Sequence, residues 1–155
     1  MNKFILTLST ICFFFFVNHA YSQWVQTGGP YGGIIYALAV SGGSIFAGTD
    51  YGVFLSNNNG TSWTAMNSGL PVKSSVHSFT VNGSNIFAGT FQSGIYLSTN
   101  GGTTWTAVNS GLPANACVMS LTVSGNFIFA SLEHNGVYLS TNNGTNWTKV
   151  NPSVA

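Results

Sequence analysis

The sequence predicts an all-β protein: a β-propeller-like array of three four-stranded antiparallel blades preceded by one N-terminal outer strand, hence a partial propeller. Three observations predict it. Trp63, Trp105 and Trp147 recur every 42 residues (105 − 63 and 147 − 105), a period of stacked supersecondary units and, among all-β chains, of propeller blades. No stretch shows the 3.6-residue apolar period of a helix. The 19 glycines among 155 residues, with frequent Asn, Ser and Thr, supply the turns that many short strands need.

Residues 1–22 read as a signal peptide. Lys3 gives a positive start, Phe4 to Val17 is an apolar run of about 14 residues, and Ala20-Tyr21-Ser22 offers a small-x-small cleavage site before Gln23. The run is short of the roughly 20 residues of a membrane span. A lipoprotein signal at Cys12 fits poorly, since bulky Ile11 precedes it and four phenylalanines follow. The expectation is therefore a secreted, periplasmic or cell-surface protein with no membrane span after cleavage. Export removes Lys3, Cys12 and His19 and leaves Lys73, Lys149, Asp50 and Glu133, a formal charge of zero. The chain has no arginine, so the basic stripe that nucleic acid requires is missing. Cys117 is then a lone thiol, read as a buried small apolar side chain or as a link to another chain.

The blades follow within residues 23–151. In the middle one, Val76 to Val81 alternates, with His77, Phe79 and Val81 on one face and Val76, Ser78 and Thr80 on the other. Ile86 to Thr90 is a second strand, Ile95 to Ser98 a third, and Trp105 to Val108 a fourth, joined by Gly/Asn turns into an up-and-down blade. The other repeats superimpose on it: Ile45-Phe-Ala-Gly and Phe127-Ile-Phe-Ala for the second strand, Val53-Phe-Leu-Ser and Val137-Tyr-Leu-Ser for the third. Trp24 to Thr27 matches an outer strand. Residues 152–155 form a tail, without the Ser-Gly-Leu-Pro that follows the first two tryptophan turns.

Each third strand runs into a repeated phrase, at residues 56–63, 98–105 and 140–147. Asn58, Asn100 and Asn142 can accept backbone N–H bonds in an Asx turn, helped by Ser56, Ser98 and Ser140. Gly60, Gly102 and Gly144 suit a positive φ, and Trp63, Trp105 and Trp147 start the outer strand and pack inward. A calcium loop is the other reading, but the phrases hold no carboxylate and a hard cation wants several. The sequons Asn59-Gly-Thr61 and Asn143-Gly-Thr145 fall in the same turns and read as turn chemistry.

This phrase resembles the Asp-box, Ser-x-Asp-x-Gly-x-Thr-Trp, of BNR (sialidase-type) repeats, found in sialidases, xyloglucan-cleaving glycosidases and many exported bacterial proteins. The resemblance runs from Trp24 to about Asn151 and departs by Asn for Asp in all three boxes, with Ser62 and Asn146 at the Thr position. It implies a propeller in which the box is structural and lies away from the active site.

Strand parity agrees. Successive turns of an antiparallel blade alternate ends, so the second-to-third loops and the interblade connections share the rim opposite the boxes. Loop lengths vary on that rim, which marks either a working face or relaxed packing. The candidate binding face there is Tyr31, Asp50, Tyr51, His77, Phe91, Gln92, Asn115, Glu133 and His134, rings beside small polar groups that suit a glycan or a peptide or simply cap the core. His77, opposite Tyr36 and Met119, reads as a packed or channel-lining imidazole. Sialidases grip their substrate with arginines, which this chain lacks. Other glycosidases need two flanking carboxyl groups, and Asp50 and Glu133 sit on blades one and three. No catalytic set, metal site or cofactor is expected.

The expected function is an exported, non-catalytic binding or scaffold module for a glycan or a protein partner. The alternative is a remnant or fragment of a glycosidase-like, polysaccharide-cleaving propeller. Three blades do not close a ring of four to eight, so further repeats or a homo-oligomer would complete it.

Overall fold

The computed structural model describes residues 28–30 and 33–150. Among the described residues twelve strands form three separate sheets, each an antiparallel meander. The first holds β1 (Ile35–Ser41), β2 (Ser44–Thr49), β3 (Gly52–Ser56) and β4 (Thr64–Ala65). The second holds β5 (Val76–Asn82), β6 (Asn85–Thr90), β7 (Gly94–Ser98) and β8 (Thr106–Ala107). The third holds β9 (Val118–Ser124), β10 (Phe127–Leu132), β11 (Gly136–Ser140) and β12 (Thr148–Lys149). The three predicted blades are present. The fourth strands are shorter than expected, two residues each, because the box turn holds the chain up to the tryptophan and only Phe54↔Ala65 and Leu55↔Thr64, with their counterparts, pair beyond it.

The boxes are built alike. Ser98 Oγ accepts from the Gly102 N–H at 2.8 Å, Asn100 Oδ1 accepts from the Thr104 N–H at 3.0 Å, and Ser98 Oγ meets Asn100 Oδ1 at 3.0 Å. The first and third boxes repeat these bonds around Ser56 and Ser140. Gly102 has φ 82°, and a Cβ there would lie 2.6 Å from the Phe46 ring of the preceding blade. Glycine is needed on both counts.

Blades stack face to face through two apolar clusters. Between blades one and two, Phe46 and Val53 pack against Val76, Ile86, Tyr96 and Trp105; between blades two and three, Phe87 and Ile95 pack against Val118, Leu121, Ile128 and Trp147. Trp105 and Trp147 also bond across the joint. Trp105 Nε1 donates to Met66 O at 2.9 Å and its amide to Ser68 O at 2.9 Å, and Trp147 does the same to Val108 O and Ser110 O at 2.8 and 2.9 Å. Trp63 Nε1 donates instead to Gly60 O of its own turn, at 3.1 Å. A buried Trp with its N–H satisfied combines large apolar burial with a directional bond, so the box carries both turn and joint.

Candidate functional site

The rim opposite the boxes is shaped by a feature that plain alternation does not show. The β5–β6 register shifts between Val76 and Ser78, leaving His77 as the extra residue of a β-bulge, and the same shift falls at Tyr36 in blade one and Met119 in blade three. The expected alternation is thereby broken: Val76 is fully buried and packs in the same cluster as Phe79 and Val81. A bulge re-aims the side chain of the inserted residue, and here three consecutive inner strands do so at one rim.

Two of the three re-aimed side chains meet. The Tyr36 and His77 rings stack at 4.1 Å between centroids and 26° between planes, and His77 stacks on Phe91 at 5.4 Å and 19°. His77 Nε2 lies 3.0 Å from Ser75 Oγ. Tyr36 OH donates to Asp50 Oδ1 at 2.7 Å, and the Ile34 N–H donates to Oδ2 at 3.2 Å. The Tyr36 hydrogen bond, then the Ile34 amide, holds the Asp50 carboxyl below its ordinary pKa, and the same bond pushes the Tyr36 phenol above its own. Asp50 is thus a fixed carboxylate beside a short column of half-exposed rings.

Buried threonines and half-buried asparagines hold the loops. Thr49 Oγ1 accepts from the Tyr51 N–H and Thr90 Oγ1 donates to Gly94 O at 3.1 and 2.7 Å. Asn67 Oδ1 accepts from the Val53 N–H at 2.7 Å while its Nδ2 donates to Tyr51 O at 3.0 Å, and Asn109 clamps Ile95 and Ser93 in the same way. Each interblade connection therefore fastens the loop beside it.

Of the predicted face, the structure brings together Asp50, His77 and Phe91. Gln92 and Asn115 line a second feature, an open cleft of about 370 Å³ floored by Tyr96 and walled by Leu112 and Pro113. Both stand at loop tips with positive φ, 67° and 55°. Tyr51 is exposed on the first loop. Glu133 Oε1 and His134 Nε2 lie 3.7 Å apart on the exposed loop of blade three, where solvent leaves little net attraction. Glu133 takes the place of Asp50, but Met119 stands where Tyr36 would hold it. Tyr31 lies outside the described residues. Cys117 is half-buried, not buried as expected, with Sγ 3.8 Å from Asn115 O. Among the described residues no three His, Cys, Asp or Glu side chains cluster to hold a metal. Tyr36 and Ser75 were missed as site residues; the repeat alignment, which sets Tyr36 opposite His77, was a signal for Tyr36, and no repeat signal marks Ser75.

A model of the BNR/Asp-box repeat family matches residues 96–107, the third strand and box of the middle blade. No protein of curated function matches the chain in sequence. Among solved structures, an ancestral GH74 enzyme is 26% identical with a TM-score of 0.65, over 77% of this chain and 18% of that one. The computationally designed Ika4 protein is 13% identical with a TM-score of 0.61, over 80% of this chain and 75% of that one. YCF48 bound to D1 peptide is 13% identical with a TM-score of 0.57, over 68% and 35%. The chain thus spans less than a fifth of the length of the GH74 structure it matches. Box, blades and neighbours agree on a BNR-type, β-propeller-like array.

Proposed function

We propose that this protein is an exported, non-catalytic binding module whose ligand, a glycan, lies on the loop rim. One observation carries the reading: the Tyr36–His77–Phe91 column beside the Asp50 carboxylate. Ring faces suit the C–H faces of a sugar, and a fixed carboxylate accepts from its hydroxyls. The same geometry argues against hydrolysis. A glycosidase needs one carboxyl as proton donor and a second across the bond. Asp50 is held ionised, and its counterpart Glu133 belongs to blade three, with blade two and Phe91 between them.

The likeness to a GH74 enzyme favours a second reading, a remnant of a polysaccharide-cleaving propeller. The likeness to YCF48 with its bound peptide makes a peptide the competing ligand. A glycan array and a peptide array probed with the purified chain separate these. Glycan binding lost in His77→Ala and Phe91→Ala, with no sugar released, is the expected result. Hydrolysis abolished by both Asp50→Ala and Glu133→Ala would refute it.

A further inference from the structure

The repeat permits a residue-by-residue test of the two end faces of the array, and the test is informative because the two internal joints are copies of each other. On the receiving side of a joint, Val76 and Val118 are fully buried and Leu121 is 7% exposed. Phe79, Val81 and Val123 on the same faces are half-buried, and the blade-one counterparts of all these positions, Ile35, Leu38 and Val40, are 47%, 65% and 68% exposed. On the donating side, Phe46 and Phe87 reach under Gly102 and Gly144 of the next box, backed by Leu55 and Leu97. Phe46 and Phe87 are 1% and 0% exposed, whereas their counterpart on blade three, Phe129, is half-exposed, with Phe127 beside it at 48% and Val150 at 41%.

We infer that the open face of blade three receives the open face of blade one of a second copy, so that two chains join head to tail. The occupant is a second copy because the two faces hold the matching halves of one joint. Apolar positions recur in both, the box of blade one supplies a half-buried Trp63 beside an already buried Gly60, and Val150 stands where Met66 and Val108 accept an indole N–H. Trp63, alone among the described tryptophans in bonding within its own turn, is the donor that this joint would redirect. A head-to-tail contact generates a ring if its rotation closes and a filament if it does not. Two copies supply six blades, within the four to eight of closed propellers.

One position departs from the pattern. Ser131 stands where Gly48 and Gly89 lie, and a Cβ at Gly48 would be 2.6 Å from Val76 O of the next blade. The new joint is therefore wider at its inner strand than the internal ones. The inference is independent of the ligand on the loop rim.

Light scattering on the purified chain tests it. The expected mass is twice that of one chain. Val40→Asp and Phe129→Asp, on opposite faces, should each give a monomer with an unchanged circular dichroism spectrum. An equimolar mixture of the two should pair again through its one intact joint. Ser131→Gly, which restores the internal sequence, should lower the dissociation constant several-fold. A wild-type monomer, its front face covered by residues 1–27 of the same chain, would overturn the inference. So would a dimer that Val40→Asp breaks and Phe129→Asp does not, because that contact joins front to front.

Discussion

The two rims of the array are made from the same strands and differ in how their hydrogen bonds close. At the box rim the bonds that close each turn on its Ser Oγ and Asn Oδ1 join residues at most four apart, and the three Gly N–H to Ser Oγ distances are 2.9, 2.8 and 2.8 Å. At the loop rim the equivalent positions hold Tyr36, His77 and Met119, then Asp50, Phe91 and Glu133, and the Tyr36–His77 stack runs between blades while Tyr36–Asp50 and His77–Phe91 each stay within one. One rim repeats a solution to a local problem. The other varies because its backbone is already held from behind, by Thr49, Thr90, Asn67 and Asn109. Loops fastened in that way can change their outward side chains without loss of the scaffold.

The largest expected difference between the rims is in stability. Trp105 is 3% exposed and bonded across the joint, so Trp105→Ala should cost about 3–5 kcal/mol in urea denaturation. Phe91→Ala removes a half-exposed ring from a stack and should cost about 1 kcal/mol. Equal losses would erase the distinction. Next comes Ser98→Ala, which leaves the buried Gly102 N–H without its acceptor and should cost about 1–3 kcal/mol.

A smaller effect reports on the loop rim alone. Asp50 is ionised more readily in the folded protein than in the unfolded chain, so its contribution to stability is complete above the ordinary carboxylate pKa of about 4. It is lost as the pH falls through the lowered folded value. Tyr36→Phe should move the Asp50 titration upward in a carboxyl NMR experiment and flatten the acid limb of the stability profile. The smallest change belongs to the box: Asn100→Asp keeps the acceptor for the Thr104 N–H, and the Thr104 hydroxyl, which now accepts from Asn100 Nδ2, can donate in its place. Thermal unfolding should move by no more than about 0.5 kcal/mol. A large loss there would mean that the amide does more than hold a turn.

Much of the fold was legible in the chain. Trp63, Trp105 and Trp147 set the period, the Gly/Asn turns bounded the strands, and parity put the boxes and the variable loops on opposite rims. The site was legible in part. Asp50, His77 and Phe91 were on the candidate face, while Tyr36 and Ser75 were not, because a bulge is an insertion in register that a period-2 pattern cannot reveal. The alternation of Val76 to Val81 predicted the wrong face for its first residues for the same reason.

What the sequence by itself determined is what local chemistry decides: a box closed within a few residues, repeated often enough to declare its period. Tertiary structure alone decided which rings meet. Tyr36 and His77 are 41 residues apart in the chain (77 − 36) and stack because two bulged inner strands lie side by side. It also decided that Leu38 and Val40 stand exposed where their counterparts in the next blades are half-buried or buried, since burial depends on the neighbouring blade and not on the residue.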